Sequence, residues 1–133
     1  MRKAGTTDHN HLEKTILEIL KSKAQSKIYL FLLNCMEAKT EDIVQGTKLH
    51  PSTVREALVK MYKDQLLIRR KLKNDAIGKN PFLYSPIPPF QLFKKYAADI
   101  EHRLNSLTLF SMHDQEKQRI KTIKINIKER EDL

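Results

Sequence analysis

Between Thr40 and Ser85 the apolar residues change their spacing, from about 3.6 residues to about 2, and the switch falls at Leu66. Before it, TEDIVQGTKLHPSTVREALVKMYKDQ carries apolar residues at helical spacing, broken once between Gly46 and Pro51 by turn-forming residues. After it, LLIRRKLKNDAIGKNPFLYS alternates Leu, Ile, Phe and Tyr with polar residues around a loop that contains glycine. Few arrangements satisfy both halves. The stretch predicts a short helix, a turn, a second helix and a two-stranded ribbon, in that order.

Thr40 suits a helix start, with its hydroxyl free to accept an orphan amide and with Glu41 and Asp42 complementing the helix dipole. Ile43 and Val44 are the expected inward anchors, and Leu49 tucks into the core from the turn. His50 then stands at a capping site and Pro51 at the first helical position, where a missing amide costs nothing. Along the second helix Val54, Leu58 and Met61 define a buried face flanked by Ala57 and Tyr62. Ser52, Glu56, Val59, Lys60 and Lys63 face the other way, with Thr53 and Arg55 at the edges. In the ribbon Leu66, Ile68 and Leu72 are expected to point inward.

The 133 residues carry a formal net charge of +9, which points to a polyanionic partner. From Lys48 to Lys79 there are nine basic residues against three acidic, so most of that excess sits on one supersecondary unit. Charge concentrated in this way favours a phosphate footprint over general solubility. Small hydroxyl side chains at the start of the second helix permit close approach to a surface, and Arg55 is capable of bidentate contact with guanine or phosphate.

On the N-terminal side, Leu12, Ile16, Ile19 and Leu20 predict a helix from about His9 to Lys23. Ser26 is the expected cap of a second, Lys27 to Glu37, nearly apolar all round and therefore central. Cys35, the lone cysteine, is expected to be a small buried thiol in that helix. After the ribbon, Pro86, Pro88 and Pro89 mark a boundary. Phe93, Ala97, Ile100, Leu104 and Leu107 then recur at heptad spacing, a coiled-coil seam that needs a partner: a second copy, with folding back onto its own domain as the alternative. Further on, Ile123, Ile125 and Ile127 alternate with Lys124, Asn126 and Lys128 as in a strand, whereas Ile120, Ile123 and Ile127 suit a helix. A short edge strand or adaptable tail is expected.

Catalysis finds little support. The five histidines are scattered, no cysteine pair or glycine-rich phosphate loop occurs, and no catalytic residue, metal site or cofactor is predicted. The polar N-terminus lacks the apolar segment of a signal peptide, and the apolar run Ile28 to Leu33 is too short to span a bilayer. No membrane association and a cytoplasmic, nucleoid-associated protein are expected.

Thr40 to Pro89 resembles the archaeal-type winged helix-turn-helix transcription regulators of the TrmB group and, more loosely, the MarR-like repressors. The resemblance rests on TEDIVQ, LHPSTVREALVKM, LLIRRKL and FLYSPIPP leading into a long amphipathic helix, with SKIYLFLL like the helix that precedes the motif. Such turns commonly have glycine where this chain has Lys48, and the junction into the wing often has glycine where it has Gln65; a non-glycine residue can take a left-handed backbone there at modest cost. The fold class expected is mainly α with a small β-ribbon (α+β). Its parts are an N-terminal segment and helix (1–25), a winged helix-turn-helix domain (26–88), a dimerisation helix (89–112) and a basic tail (113–133).

By resemblance and charge, Ser52, Thr53, Arg55 and Glu56 would read bases, and Lys48, Lys60, Arg69, Arg70, Lys71, Lys73 and Lys79 would hold the backbone of double-stranded DNA. The expected function is a homodimeric, sequence-selective transcription regulator without a small-molecule effector. The alternatives are a non-specific architectural nucleic-acid binder and a winged-helix protein interaction module.

Overall fold

The computed structural model describes residues 4–72, 82–111 and 122–128. Among them run α1 (Ala4–Leu20), α2 (Lys23–Cys35), α3 (Thr40–Thr47), α4 (Pro51–Lys63), β1 (Leu67–Lys71), β2 (Phe82–Pro86) and α5 (Pro89–Ser111). The chain divides into two compact units, Met1–Ile87 and Pro88–Leu133.

The first unit is built around α2, which touches α1, α3, α4 and β2. Ile28, Tyr29 and Leu32 are fully buried there, together with Ile16 of α1, Ile43 of α3, and Val54 and Met61 of α4. Tyr29 carries its hydroxyl into this core and donates to the Ile87 carbonyl at 2.7 Å. Burial pushes its pKa up to about 12. One hydrogen bond thus joins the central helix to the far end of the ribbon.

Both N-terminal helices begin earlier than the apolar spacing suggests. Ser22, not Ser26, caps α2 by accepting from the Gln25 amide at 3.1 Å. Lys21 makes the bend before it at a left-handed φ of 56°. Ser26 instead lies buried inside the helix, with no hydrogen-bond partner for its hydroxyl among the described residues. Cys35 is exposed, not buried, because α2 ends there and Met36 turns the chain away at φ 75°. The cap of α3 also shifts by one residue: Asp42 reaches back to accept from the amide of Lys39, and Thr40 is already helical.

The turn between α3 and α4 is stitched by Thr47, whose buried hydroxyl donates to the Ile43 carbonyl at 2.6 Å and accepts from the Leu49 amide at 3.3 Å. Lys48 adopts φ 63° and ψ 20°, the left-handed position usually given to glycine. His50 caps α4 by accepting from the Ser52 amide at 3.2 Å, and Pro51 opens the helix. At the other end of α4 Gln65, at φ 63°, makes a further left-handed turn. Its amide bonds Tyr62 at 3.0 Å and that of Leu66 bonds Met61 at 2.8 Å, the paired closure of a Schellman motif.

That closure sets the ribbon's register. Leu66 is buried as expected, but as a corner before the strand; Leu67 is the first inward residue of β1, Leu72 is half-buried, and Ile68 faces solvent instead of the core. The antiparallel strands pair Leu67 with Pro86 and Arg69 with Tyr84. A third short segment joins them: Ala38 bridges Tyr84, with amide-to-carbonyl distances of 3.1 and 2.9 Å.

In the second unit, α5 buries Leu92, half-buries Phe93, Ala97 and Ile100, and exposes Leu104 and Leu107. Residues 122–128 run without helix, turn or bend beside α5. Asn105 accepts from the Ile123 amide at 2.8 Å and donates to the Ile123 carbonyl at 3.1 Å, and Glu101 accepts from the Ile125 amide at 2.8 Å.

Candidate nucleic-acid interface

Amphipathicity orients α4. Val54, Ala57, Leu58 and Met61 are buried, so Ser52, Arg55, Glu56, Val59, Lys60 and Lys63 must face outward, and each is exposed. Thr53 is half-buried at the edge. Arg55 and Glu56 form no ion pair among the described residues, which leaves the guanidinium fork and the carboxylate available to a ligand. Ser52 is held more firmly: its hydroxyl lies 2.9 Å from Nδ1 of His50, the same atom that caps the helix. The first two turns therefore present Ser52 and Arg55 from a capped backbone.

Four of the basic residues expected to grip a phosphate backbone divide into two kinds. Lys48 and Lys71 are exposed and carry no ion pair among the described residues, whereas Lys60 lies 3.4 Å from Asp64 on the same helix. Arg70 is forked onto Glu37, with Nε to Oε2 at 2.9 Å and Nη2 to Oε1 at 3.2 Å. Hydrogen bonding to this guanidinium holds the Glu37 carboxyl below its ordinary pKa, and the Glu37 carboxylate raises that of Arg70.

Arg69 sits between two rings, 3.9 Å from the centroid of Tyr62 and 4.3 Å from that of Phe82. This stack ties the last turn of α4 to both strands of the ribbon. Lys73 and Lys79 lie outside the described residues. Lys63, on the same outward face as Arg55, is a further exposed cation that the charge count included without singling it out.

Sequence reasoning also missed Glu37 and Asn105. Glu37 stands 33 positions from the arginine it binds, and Asn105 acts through a lone amide, so neither leaves a periodic signal.

Among the described residues no group of three or more His, Cys, Asp or Glu side chains could hold a metal ion. His9 lies 3.0 Å from Glu13 on the same helix. Two open clefts of about 280 and 290 Å³ flank α2, sharing Glu13, Lys27 and Leu30 in their walls. Among the described residues no helix is long and apolar enough to cross a membrane.

No family model and no curated protein sequence matches the chain. Its structure is similar to that of a protein described as a possible transcriptional regulator from Methanosarcina mazei Go1, at a TM-score of 0.60 and 21% identity, over 77% of this chain and 89% of that one. Weaker likeness extends to a MepR mutant of S. aureus bound to an oligodeoxyribonucleotide (TM-score 0.49, 14% identity, 88% of this chain and 85% of that one). It extends also to a MarR-family transcriptional regulator from Silicibacter pomeroyi (0.48, 12%, 84% and 75%). With the helix, left-handed turn, helix and ribbon already traced, the Methanosarcina likeness establishes the architecture: the chain has the winged helix-turn-helix fold.

Proposed function

We propose that the protein is a sequence-selective, double-stranded-DNA-binding transcription regulator that acts as a homodimer in the cytoplasm, associated with the nucleoid. One observation carries this reading. The outward face of α4 begins with a fixed Ser52 and with Arg55 and Glu56, neither of them ion-paired among the described residues, a set that matches the hydrogen-bonding edges of a major groove. Thr53 completes the base-reading group. Around it Lys48, Lys60 and Lys71 supply backbone contacts, Lys73 and Lys79 add two more, and Arg70 joins them to the extent that Glu37 releases its guanidinium. Arg69, stacked between rings, holds the wing in position as well as adding charge.

The exposed Leu104 and Leu107, continuing the line of Phe93, Ala97 and Ile100, supply the surface for a second copy, which places two α4 helices on one duplex. Regulation would follow from occupying a promoter and excluding the transcription machinery.

Selection of bound duplexes from a random pool tests the proposal. An enriched palindromic motif supports it. Absence of enrichment at moderate salt overturns it in favour of a non-specific architectural or protein-binding module.

A further inference from the structure

The segment 122–128 meets α5 through one edge of its backbone. Asn105 and Glu101 stand four residues apart, one helical turn or about 6 Å. The bonded residues Ile123 and Ile125 stand two apart, about 6.6 Å in an extended chain. The match between these spacings means that the segment runs extended and antiparallel to α5, with the polar groups of Ile123 and Ile125 turned to the helix. Asn105 acts as a surrogate strand, exchanging a donor and an acceptor with one residue as a paired strand would.

In an extended chain the alternate residues turn their backbone groups to the opposite edge. Among the described residues no hydrogen bond reaches the amides or carbonyls of Lys124 and Asn126. Ile123, Ile125 and Ile127, at 42%, 40% and 42% exposure, line one face of the same segment. An unpaired edge beside an apolar row is a template for another strand.

The geometry points to the same segment of a second copy as that strand, paired antiparallel about a two-fold axis at Ile125; this rests on the homodimeric reading. Side-chain chemistry selects the register. Centring on Ile125 sets Lys124 opposite Asn126 of the second copy, Thr122 opposite Lys128, and Ile123 opposite Ile127, so no two lysines face each other. Centring on Lys124 sets that lysine against itself, and centring on Asn126 sets Lys124 against Lys128. The Ile125 register also sets each of Ile123, Ile125 and Ile127 opposite another isoleucine, gathering six isoleucines on one face. Its hydrogen bonds use only the edge that α5 leaves open, so docking on α5 and pairing with the second copy are compatible.

Disulfide trapping in the full chain with Cys35→Ser tests the pairing. The two copies of residue 125 form a non-hydrogen-bonded pair with Cα atoms about 4.5 Å apart, within disulfide reach. The two copies of residue 123 are offset by four residues, about 13 Å along the strand, beyond that reach. Under mild oxidation Ile125→Cys is expected to form a covalent dimer, and Ile123→Cys or Ile127→Cys alone is not. Mixing the Ile123→Cys and Ile127→Cys chains is expected to restore the cross-link, and adding Asn105→Leu to slow trapping at position 125.

Sedimentation of the Cys35→Ser chain separates the two possible failures. A monomeric mass overturns the homodimeric reading and the pairing together. A dimeric mass with no trapping at position 125, or with equal trapping at all three positions, overturns the pairing alone.

Discussion

The ring of Phe31 on α2 occupies the space where a β-carbon at Gly46 of α3 would stand. This close approach locks the first helix of the helix-turn-helix to the central helix just before the chain turns into α4. Gly46→Ala is expected to destabilise the protein by about 1–2 kcal/mol, because overpacking outweighs the gain in helix propensity. In a Phe31→Ala background the same substitution is expected to stabilise by about 0.5–1 kcal/mol, since only the propensity remains. Urea unfolding of the four chains measures this reversal of sign, and equal effects in both backgrounds would remove the close approach as its cause.

The left-handed Gln65 closes α4 with the bonds of a Schellman motif, without the residue best suited to it. Gln65→Gly is expected to raise stability by about 0.5–1 kcal/mol, as relief of left-handed strain exceeds the entropy added to the unfolded chain. Thermal unfolding provides the check; a loss of stability would mean that the Gln65 side chain contributes more than its backbone costs.

Burial of Tyr29 predicts behaviour at high pH. Its folded pKa, about 12, lies above the ordinary 10.0, so the folded state holds the proton more tightly. The resulting stabilisation is fully present below pH 10 and is lost as pH rises towards 12. Tyr29→Phe should lower stability at neutral pH by about 1–3 kcal/mol, because it leaves the Ile87 carbonyl without its donor. Across that alkaline window it should lose less stability than the parent. Parallel pH dependences for the two chains would contradict the assignment.

Glu37 restrains Arg70. Its lowered carboxyl pKa means that the pair stabilises the fold above the ordinary carboxylate value, and that this contribution fades as pH falls through the folded one. Glu37→Gln therefore removes a small stabilisation at neutral pH that is absent in acid. On the proposed interface it also frees a cation: binding to any duplex should tighten at low salt, and the slope of log affinity against log salt should steepen by about 1. An unchanged slope would show that Arg70 stays off the phosphates.

How far the fold could be read from residues alone depended on how local its causes are. Pro51, Gly46 and the Val54, Leu58, Met61 spacing place the helix-turn-helix because each acts within a few residues. The flagged Lys48 and Gln65 both prove left-handed. The ribbon's register was misread because Leu66 and Leu67 are equally apolar, and only the Schellman closure decides which begins the strand. Ala38 was overlooked as a strand partner because a single bridging residue has no pattern. For the interface, α4's outward face follows from its amphipathicity. The partition of arginines does not: Arg69 depends on Tyr62 and Phe82 meeting across the ribbon, and Arg70 on a distant Glu37.

In the proposed homodimer the seam of α5 is the interface. Ile100→Glu combined with Leu104→Glu should yield monomers by sedimentation while unit 1 keeps its unfolding transition, and an unchanged dimeric mass would remove these residues from the interface.

The central claim is that α4 reads bases, and Arg55→Ala tests it most directly. Affinities of the parent and variant are measured on the selected duplex and on an unrelated one at matched salt. The account predicts that discrimination between them falls by about 1–3 kcal/mol while binding to the unrelated duplex changes little. Equal losses on both duplexes would contradict it and reduce Arg55 to a phosphate contact.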